Sequence, residues 1–117
     1  MKRRDRVTDV LIRARERISD KRRWQRHALA SEGPNGARLV CAPGDPRAVR
    51  WCAVGALEAE LSTSIRTSPT GWRFTLNEPL YAHAMSRLQQ VGDVMRTNDR
   101  LGHAAVLALF DAAIRQK

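Results

Sequence analysis

Residues 45–61 read DPRAVRWCAVGALEAEL, and this stretch predicts the central element of the fold. Asp45 is of the type that caps helices, and Pro46 fits the first helical position. On a helical wheel the apolar residues cover most of the circumference, which is typical of a buried helix. We therefore predict one helix over residues 45–61, with the other elements packed around it.

Cys52 and Gly55 lie on the small-residue face of this predicted helix. Counted from a cap at Asp45, Cys52 falls about two turns inside the helix, beyond the first turn where the helix dipole acts on a thiol. We therefore interpret Cys52 as a compact apolar filler of the core. Gly55 costs about 1 kcal/mol against alanine in a helix interior, which indicates that another element passes close by.

Length and charge indicate one basic domain. The chain has 117 residues, enough for a single domain over residues 1–117 with its own core. Its formal charge is +9, and residues 1–27 contribute eleven Lys or Arg against four acids. A positive end of this kind favours anionic partners such as nucleic acid or an acidic protein.

The cysteines and the apolar pattern predict a cytoplasmic protein. Cys41 and Cys52 follow no secretory signal, so we expect reduced thiols. No apolar targeting region follows the basic start, and no run of eighteen apolar residues occurs in the sequence. We therefore expect no membrane partner.

Hydrophobic spacing and turn signals divide the rest of the chain. They predict helices over residues 5–24, 77–91 and 103–117, the second of them capped by Asn77 and ended by Gly92. Residues 24–40 predict a short β-hairpin, and residues 1–6 a basic tail that can be disordered. Residues 62–76 predict a long surface loop, or a loop with a brief strand near residues 72–75. The fold class is thus α+β: a mainly helical domain of about four helices, with one hairpin between the first and second.

Arginines flank the apolar stripe of the first predicted helix. Their aliphatic stems can simply cover the edges of the core, or their charged heads can form a basic rim beside a groove. The leading hypothesis is a non-enzymatic accessory module that binds nucleic acid or another polyanion. The residues expected to make this contact are Arg3, Arg4, Arg15, Arg22, Arg23 and Arg26. A protein-interaction or regulatory subunit, for example a homodimer formed through the first helix, is an alternative.

A small cysteine-dependent hydrolase is a second alternative, from a different class. Its candidate residues are Cys52, His103, Asn98 and Asp99, because a thiol, an imidazole and an amide or carboxylate can make a hydrolase site where they converge. The structural interpretation is that Asn98 and Asp99 form a turn that caps the last helix, with His103 satisfied locally. No metal-ligand spacing, phosphate loop or dinucleotide fingerprint is present, so we expect no metal and no cofactor.

Trp72 and Arg73 are candidates for the rim of a ligand site. Both fall in the predicted surface loop of residues 62–76, where an exposed aromatic ring beside a cation can contact a ligand. The alternative interpretation is that Trp72 packs back on the domain.

Several short motifs resemble a family of small uncharacterised bacterial and phage-associated domains. Its members share a W-C-x-x-G-A-L helix and a W-N-D-like turn before a closing V-L-x-L helix. The matching positions here are Trp51, Cys52, Gly55, Ala56, Leu57, Asn98, Asp99, Val106 and Leu107, and the similarity spans about residues 7–116. The chain departs from the pattern in three places: Thr97 where an aromatic residue is common, His27 where a glycine is common, and an extended segment at 62–76. The family has no assigned activity, so the resemblance implies the fold and its boundaries and no catalytic residue.

Overall fold

The computed structural model describes residues 5–33 and 39–116. The helices are α1 (Arg6–Arg17), α2 (Ala53–Leu61), α3 (Glu78–Val91), the short α4 (Val94–Arg96) and α5 (His103–Arg115). A 3₁₀ turn spans Lys21–Arg23, and a π turn spans Thr97–Leu101. The strands are β1 (Ala30–Glu32), β2 (Leu39–Val40), β3 (Arg50–Trp51), β4 (Ser62–Arg66) and β5 (Trp72–Leu76).

The fold is α+β and mainly helical, as predicted, but its element count differs from the prediction. The described residues form five helices where about four were expected, because a short helix and a π turn separate α3 from α5. They also form two small antiparallel sheets, one with strand order β2-β1-β3 and one made of β4 and β5. None of the described helices is long and apolar enough to cross a membrane.

The core is centred on α2, which packs against α1, α3 and α4, while α5 packs against α1 and α3. All five helices contribute large, fully buried side chains, among them Leu11 of α1, Leu57 of α2, Leu88 of α3, Val94 of α4 and Phe110 of α5. The apolar stripe of α1 is therefore used inside the domain, and a homodimer would need another surface.

The prediction of one helix over residues 45–61 is wrong in its first half. The helix begins at Ala53, because the preceding backbone is committed to the sheet: Val49 N–H donates to the Ser31 carbonyl (2.9 Å), and Cys52 N–H donates to the Leu29 carbonyl (3.2 Å). Asp45 caps a tight turn instead, since its carboxylate accepts from Arg47 N–H (2.9 Å). Cys52 is consequently the N-cap of α2 and does not lie two turns inside it.

The first helix is shorter than predicted. Asp5 caps it by accepting from Thr8 N–H (2.7 Å), but α1 ends at Arg17 where residues 5–24 were expected to be helical. Asp20 then starts the 3₁₀ turn by accepting from Arg22 N–H (2.9 Å), which competes with a continuing helix. Of the basic tail predicted over residues 1–6, residues 1–4 lie outside the described part of the chain.

Residues 62–76 form a β-hairpin where a long surface loop, or a loop with a brief strand near residues 72–75, was predicted; β5 agrees with that strand, and β4 was not predicted. β4 and β5 pair in register from Ser62↔Leu76 to Arg66↔Trp72. In β4, Ser62 and Ser64 are half-buried and Thr63 between them is exposed, which is the alternation typical of a strand. The turn is closed by Thr67, whose N–H donates to the Gly71 carbonyl (3.0 Å).

The predicted ends of the third helix are confirmed. Asn77 accepts from Leu80 N–H (3.3 Å) at the start of α3, and Gly92 is the C-cap. The placement of the hairpin differs from the prediction of residues 24–40: β1 begins only at Ala30, and it pairs with β2 on one side and with β3 on the other, so the hairpin is part of a three-stranded sheet.

Gly55 marks the closest approach between α2 and the sheet layer. A Cβ atom at this position would overlap the carbonyl group of Leu29, which is fixed because its oxygen accepts from Cys52 N–H. The sequence-based inference of a close neighbour at Gly55 is therefore confirmed, and that neighbour is backbone that cannot easily move.

We expect Gly55→Ala to lower the free energy of unfolding by about 3 kcal/mol or more, because overpacking against backbone outweighs the gain in helix propensity. Urea unfolding measures the change. The control is Ala59→Gly in the same helix, which should cost only about 1 kcal/mol through propensity. Stabilisation by Gly55→Ala would contradict the close approach.

Candidate functional site

The side chain of Asn98 lies at the centre of the site and is 2% exposed. Its Oδ1 accepts from the indole N–H of Trp24 (2.8 Å) and from Ala53 N–H (2.9 Å), and its amide nitrogen donates to the Gln25 carbonyl (3.3 Å) and to Asp99 Oδ1 (3.0 Å). Asn98 therefore satisfies the first backbone donor of α2. The interpretation that it caps the last helix is wrong, since the N-cap of α5 is Gly102, without a side-chain cap.

The thiol of Cys52 caps the same end of α2. Its Sγ accepts from Gly55 N–H (3.3 Å), and the residue is 5% exposed. Burial raises the pKa of the thiol above its ordinary value, although hydrogen bonds from the backbone N–H groups of Gly55 and Val54 act in the opposite direction. Cys52 is thus mainly protonated at neutral pH, in a position where a helix N-terminus would favour its anion.

A cavity of about 190 Å³ opens beside the thiol. Its walls are formed by His27, Ala28, Leu29, Cys52, Val54, Met95, Asn98 and Asp99. Three of the four hydrolase candidates therefore share one cavity. The fourth, His103, is not among the lining residues: its Nε2 lies 2.6 Å from the Ile18 carbonyl oxygen, and its ring packs against Trp24 at a centroid distance of 5.5 Å.

His27 supplies the imidazole of this cavity in place of His103. The backbone N–H of His27 donates to Asp99 Oδ1 (3.2 Å), whereas the ring Nδ1 lies 3.9 Å from Asp99 Oδ2, beyond hydrogen-bond distance. The hydrogen bond from Asn98 is the main cause that lowers the pKa of Asp99, and the His27 N–H also lowers it. Sequence reasoning missed this residue, although the pattern that places a glycine at position 27 was a signal.

The backbone of His27 has a conformation that favours glycine. Its φ of 68° is in the left-handed region, and it is the only non-glycine residue of the described chain with a positive φ. Such a conformation costs L-residues about 1–2 kcal/mol, whereas glycine adopts it freely. The backbone of His27 is thus strained, and its side chain is 75% exposed at the cavity mouth.

The structure separates the arginines predicted to contact a polyanion. Arg3 and Arg4 lie outside the described residues. Arg15 is committed to the fold, because its guanidinium makes two hydrogen bonds to Asp111, the shorter of 2.6 Å. Arg22 pairs with Asp20 at 2.7 Å but is exposed.

Arg23 and Arg26 remain directed to the surface. Arg23 lines an open groove of about 600 Å³, together with Arg13, Glu16, Arg17, Ala48, Val49, Trp51 and Glu60. Arg26 places its guanidinium 5.1 Å above the ring of Trp24. In the groove, Arg17 is held by Glu60 (2.8 Å) and lies 4.7 Å above Trp51, so part of its charge is already compensated.

Trp72 and Arg73 do not form one rim. They are consecutive residues of β5, so their side chains point to opposite faces of the hairpin. Trp72 is half-buried with Arg66 5.8 Å above its ring, and Arg73 is exposed opposite Ile65. The part of the chain that the structure describes also holds no group of three His, Cys, Asp or Glu residues that could bind a metal ion.

These features define a small α+β domain in which one buried asparagine and one cysteine cap the central helix. The chain belongs to the family of unknown function DUF6197, whose family model matches residues 2–116. This confirms the resemblance drawn from the W-C-x-x-G-A-L and N-D motifs. No curated protein and no solved structure matches the chain.

We expect Asn98→Ala to lower the free energy of unfolding by about 2–4 kcal/mol, because two buried donors, the Trp24 indole N–H and Ala53 N–H, lose their acceptor. Urea unfolding followed by circular dichroism measures the loss. Asn77→Ala, which removes an exposed cap, is the matched control and should cost about 1 kcal/mol. Equal losses in the two variants would show that Asn98 is only an ordinary cap.

We expect His27→Gly to keep or raise the stability of the protein, by up to about 1 kcal/mol, because glycine relieves the left-handed strain while losing some chain entropy. Thermal and urea unfolding of His27→Gly and His27→Val measure the effect, and the β-branched valine should destabilise. His83→Gly, in the middle of α3, is the control and should cost about 1 kcal/mol. A similar loss in His27→Gly would contradict the strained backbone.

Proposed function

We propose that the protein binds the phosphate backbone of nucleic acid through a basic segment formed by Lys21, Arg22, Arg23 and Arg26. All four side chains are exposed. The observation that carries the proposal is that these cations project from a segment whose remaining residues, Trp24 and Gln25, are buried and hydrogen-bonded to the rest of the domain.

The two buried residues fix the backbone of the basic segment. The indole N–H of Trp24 donates to Asn98 Oδ1, and Gln25 N–H donates to the Trp51 carbonyl (3.1 Å). The side chain of Gln25 donates to the Ala28 carbonyl (3.0 Å) and accepts from the Ser31 hydroxyl. Because this backbone is already ordered, binding would pay less conformational entropy than a flexible basic tail would.

The charges of the basic segment are largely uncompensated. Arg22 pairs with Asp20, but within the described residues no carboxylate forms a salt bridge with Lys21, Arg23 or Arg26. This distinguishes the segment from α1, where Arg13, Arg15 and Arg17 are paired with acids of other helices. The proposed interface is therefore the segment after α1, and not α1 itself.

The residue types fit phosphate rather than base recognition. One arginine guanidinium can donate two parallel hydrogen bonds to the oxygens of a phosphate, whereas the ammonium group of lysine acts as a point charge. The basic segment is a turn rather than a helix that could enter a groove, so binding would depend on backbone charge and salt, and only weakly on sequence.

The test is fluorescence anisotropy of a labelled mixed-sequence oligonucleotide, single- and double-stranded, titrated with the full chain at increasing salt. We expect the triple variant Lys21→Gln, Arg23→Gln, Arg26→Gln to bind at least about tenfold more weakly at low salt. For double-stranded DNA, the slope of the logarithm of the binding constant against the logarithm of the salt concentration should become shallower by about 0.9 for each phosphate contact removed. For three contacts the change is about 2.7. Binding should weaken similarly on unrelated sequences.

The matched control is Arg73→Gln, Arg96→Gln, Arg115→Gln, which removes the same charge at other sites. It should change the affinity far less than the first triple variant. Absence of binding at low salt, or equal losses in the two variants, would contradict the basic segment as the interface. Competition by heparin and by polyglutamate distinguishes a general polyanion surface from one for acidic proteins.

A further inference from the structure

We propose that the groove beside the basic segment holds one unpaired base of a single-stranded nucleic acid, stacked on the guanidinium of Arg17, while the adjoining phosphate contacts Arg23. This inference rests on the phosphate binding proposed above and names the form of nucleic acid that would be bound. It is carried by the position of Arg23, which belongs to the basic segment and also lines the groove.

The groove is large enough for a base and has an apolar wall. Its volume is about 600 Å³, within the roughly 300–1,000 Å³ that is usual for small-molecule sites. Ala48 and Val49 belong to its lining, and Val49 is 43% exposed although its side chain is apolar. Because the groove is open to solvent, a nucleic acid chain could pass along it while one base lies inside.

The guanidinium of Arg17 is a fixed plane in this groove. Its Cζ lies 4.7 Å from the centroid of the Trp51 ring, and its Nε and Nη2 both donate to Glu60 Oε1, at 3.1 and 2.8 Å. The indole thus covers one face of the plane and the carboxylate one edge, while the side chain remains 30% exposed. The opposite face is the surface left for a ligand.

A base is the ligand that fits this open face. Unstacked nucleobases stack on arginine planes as they do on aromatic rings. Since Glu60 and Trp51 already hold the guanidinium of Arg17 in place, stacking would cost little further side-chain entropy. The role of Arg17 is therefore to present a flat surface, whereas the phosphate contacts belong to the basic segment.

The charges that line the groove order the nucleotide. Arg13, Arg17 and Arg23 face two carboxylates, those of Glu16 and Glu60. Glu60 pairs with Arg17 (2.8 Å) and lies 3.7 Å from Arg13, whereas in the described part of the chain no carboxylate forms a salt bridge with Arg23. A phosphate is attracted to Arg23 and repelled by the carboxylates. A base is neutral, and its amino groups can donate to carboxylate oxygens.

Only an unpaired base can reach this position. In a duplex the bases are paired and stacked inside the helix, whereas single strands, loops and bulges can turn them out onto protein side chains. Stacking tolerates any sequence, because every base has a π face. The groove would therefore favour single strands without selecting a sequence, which agrees with the phosphate contacts proposed for the basic segment.

The test compares two labelled single strands of DNA of the same length, about eight nucleotides. One has a mixed sequence, and the other is abasic at every position, so the two carry the same number of phosphates and differ in their bases. Fluorescence anisotropy with the full native chain at one salt concentration gives both affinities. We expect the abasic strand to bind at least about fivefold more weakly, the lower end of what one stacked base contributes.

Arg17→Lys tests the plane while keeping the charge. We expect this variant to prefer the strand with bases by less than about twofold, because lysine has no flat face, and to bind the abasic strand as the native chain does. Arg15→Lys is the matched control. Arg15 also lies in α1 and pairs with an acid of another helix, Asp111 (2.6 Å), but it is not among the residues that line the groove. It should keep the native preference.

The contrary results separate this inference from the proposed function. Equal affinity of the native chain for the two strands would overturn the base site and leave phosphate binding by the basic segment intact. Binding to neither strand would overturn both. If Arg17→Lys keeps the native preference, or Arg15→Lys loses it as fully, the base does not stack on Arg17 and the inference fails. Circular dichroism of each variant verifies that the fold is retained.

Discussion

The carboxamide of Asn98 joins three segments that are distant in the chain: the turn after α1, the start of α2 and the π turn before α5. Both its oxygen and its nitrogen make hydrogen bonds, two each. A buried polar group of this kind destabilises the folded state when one of its partners is missing. When all partners are present, it favours a single arrangement of the segments that it joins. The small β2-β1-β3 sheet and the helical layer are therefore fixed relative to each other by hydrogen bonds as well as by apolar packing.

The basic segment and the cavity beside Cys52 lie on different sides of this one asparagine. Its contacts to Trp24 and Gln25 support the segment that displays the cations, and its contacts to Ala53 and Asp99 shape the wall of the thiol cavity. Neither surface can move freely with respect to the other. A ligand that altered the turn at Trp24 would also disturb the cap of α2, which gives the small domain a direct physical connection between its two candidate sites.

The α+β class, the cap at Asn77 and the close packing at Gly55 were predictable because each depends on local propensity or on a residue type with one physical meaning. The helix start at Ala53 was not. Asp45 and Pro46 form a valid start signal, and only the pairing of β3 with β1, a contact distant in sequence, shows that the backbone up to Cys52 belongs to the sheet. The same limit applies to the site, where His27 reaches Asp99 through tertiary structure alone.

The sequence separation of the Asn98 contacts has a consequence for the order of folding. Its partners Trp24 and Ala53 precede it by 74 and 45 residues. During synthesis, α1, the small sheet and α2 would therefore leave the ribosome with the first turn of α2 incompletely capped. Contacts between distant residues slow folding because loop closure must precede them. The cap of the central helix is therefore completed only by a residue that is synthesised 45 residues after Ala53.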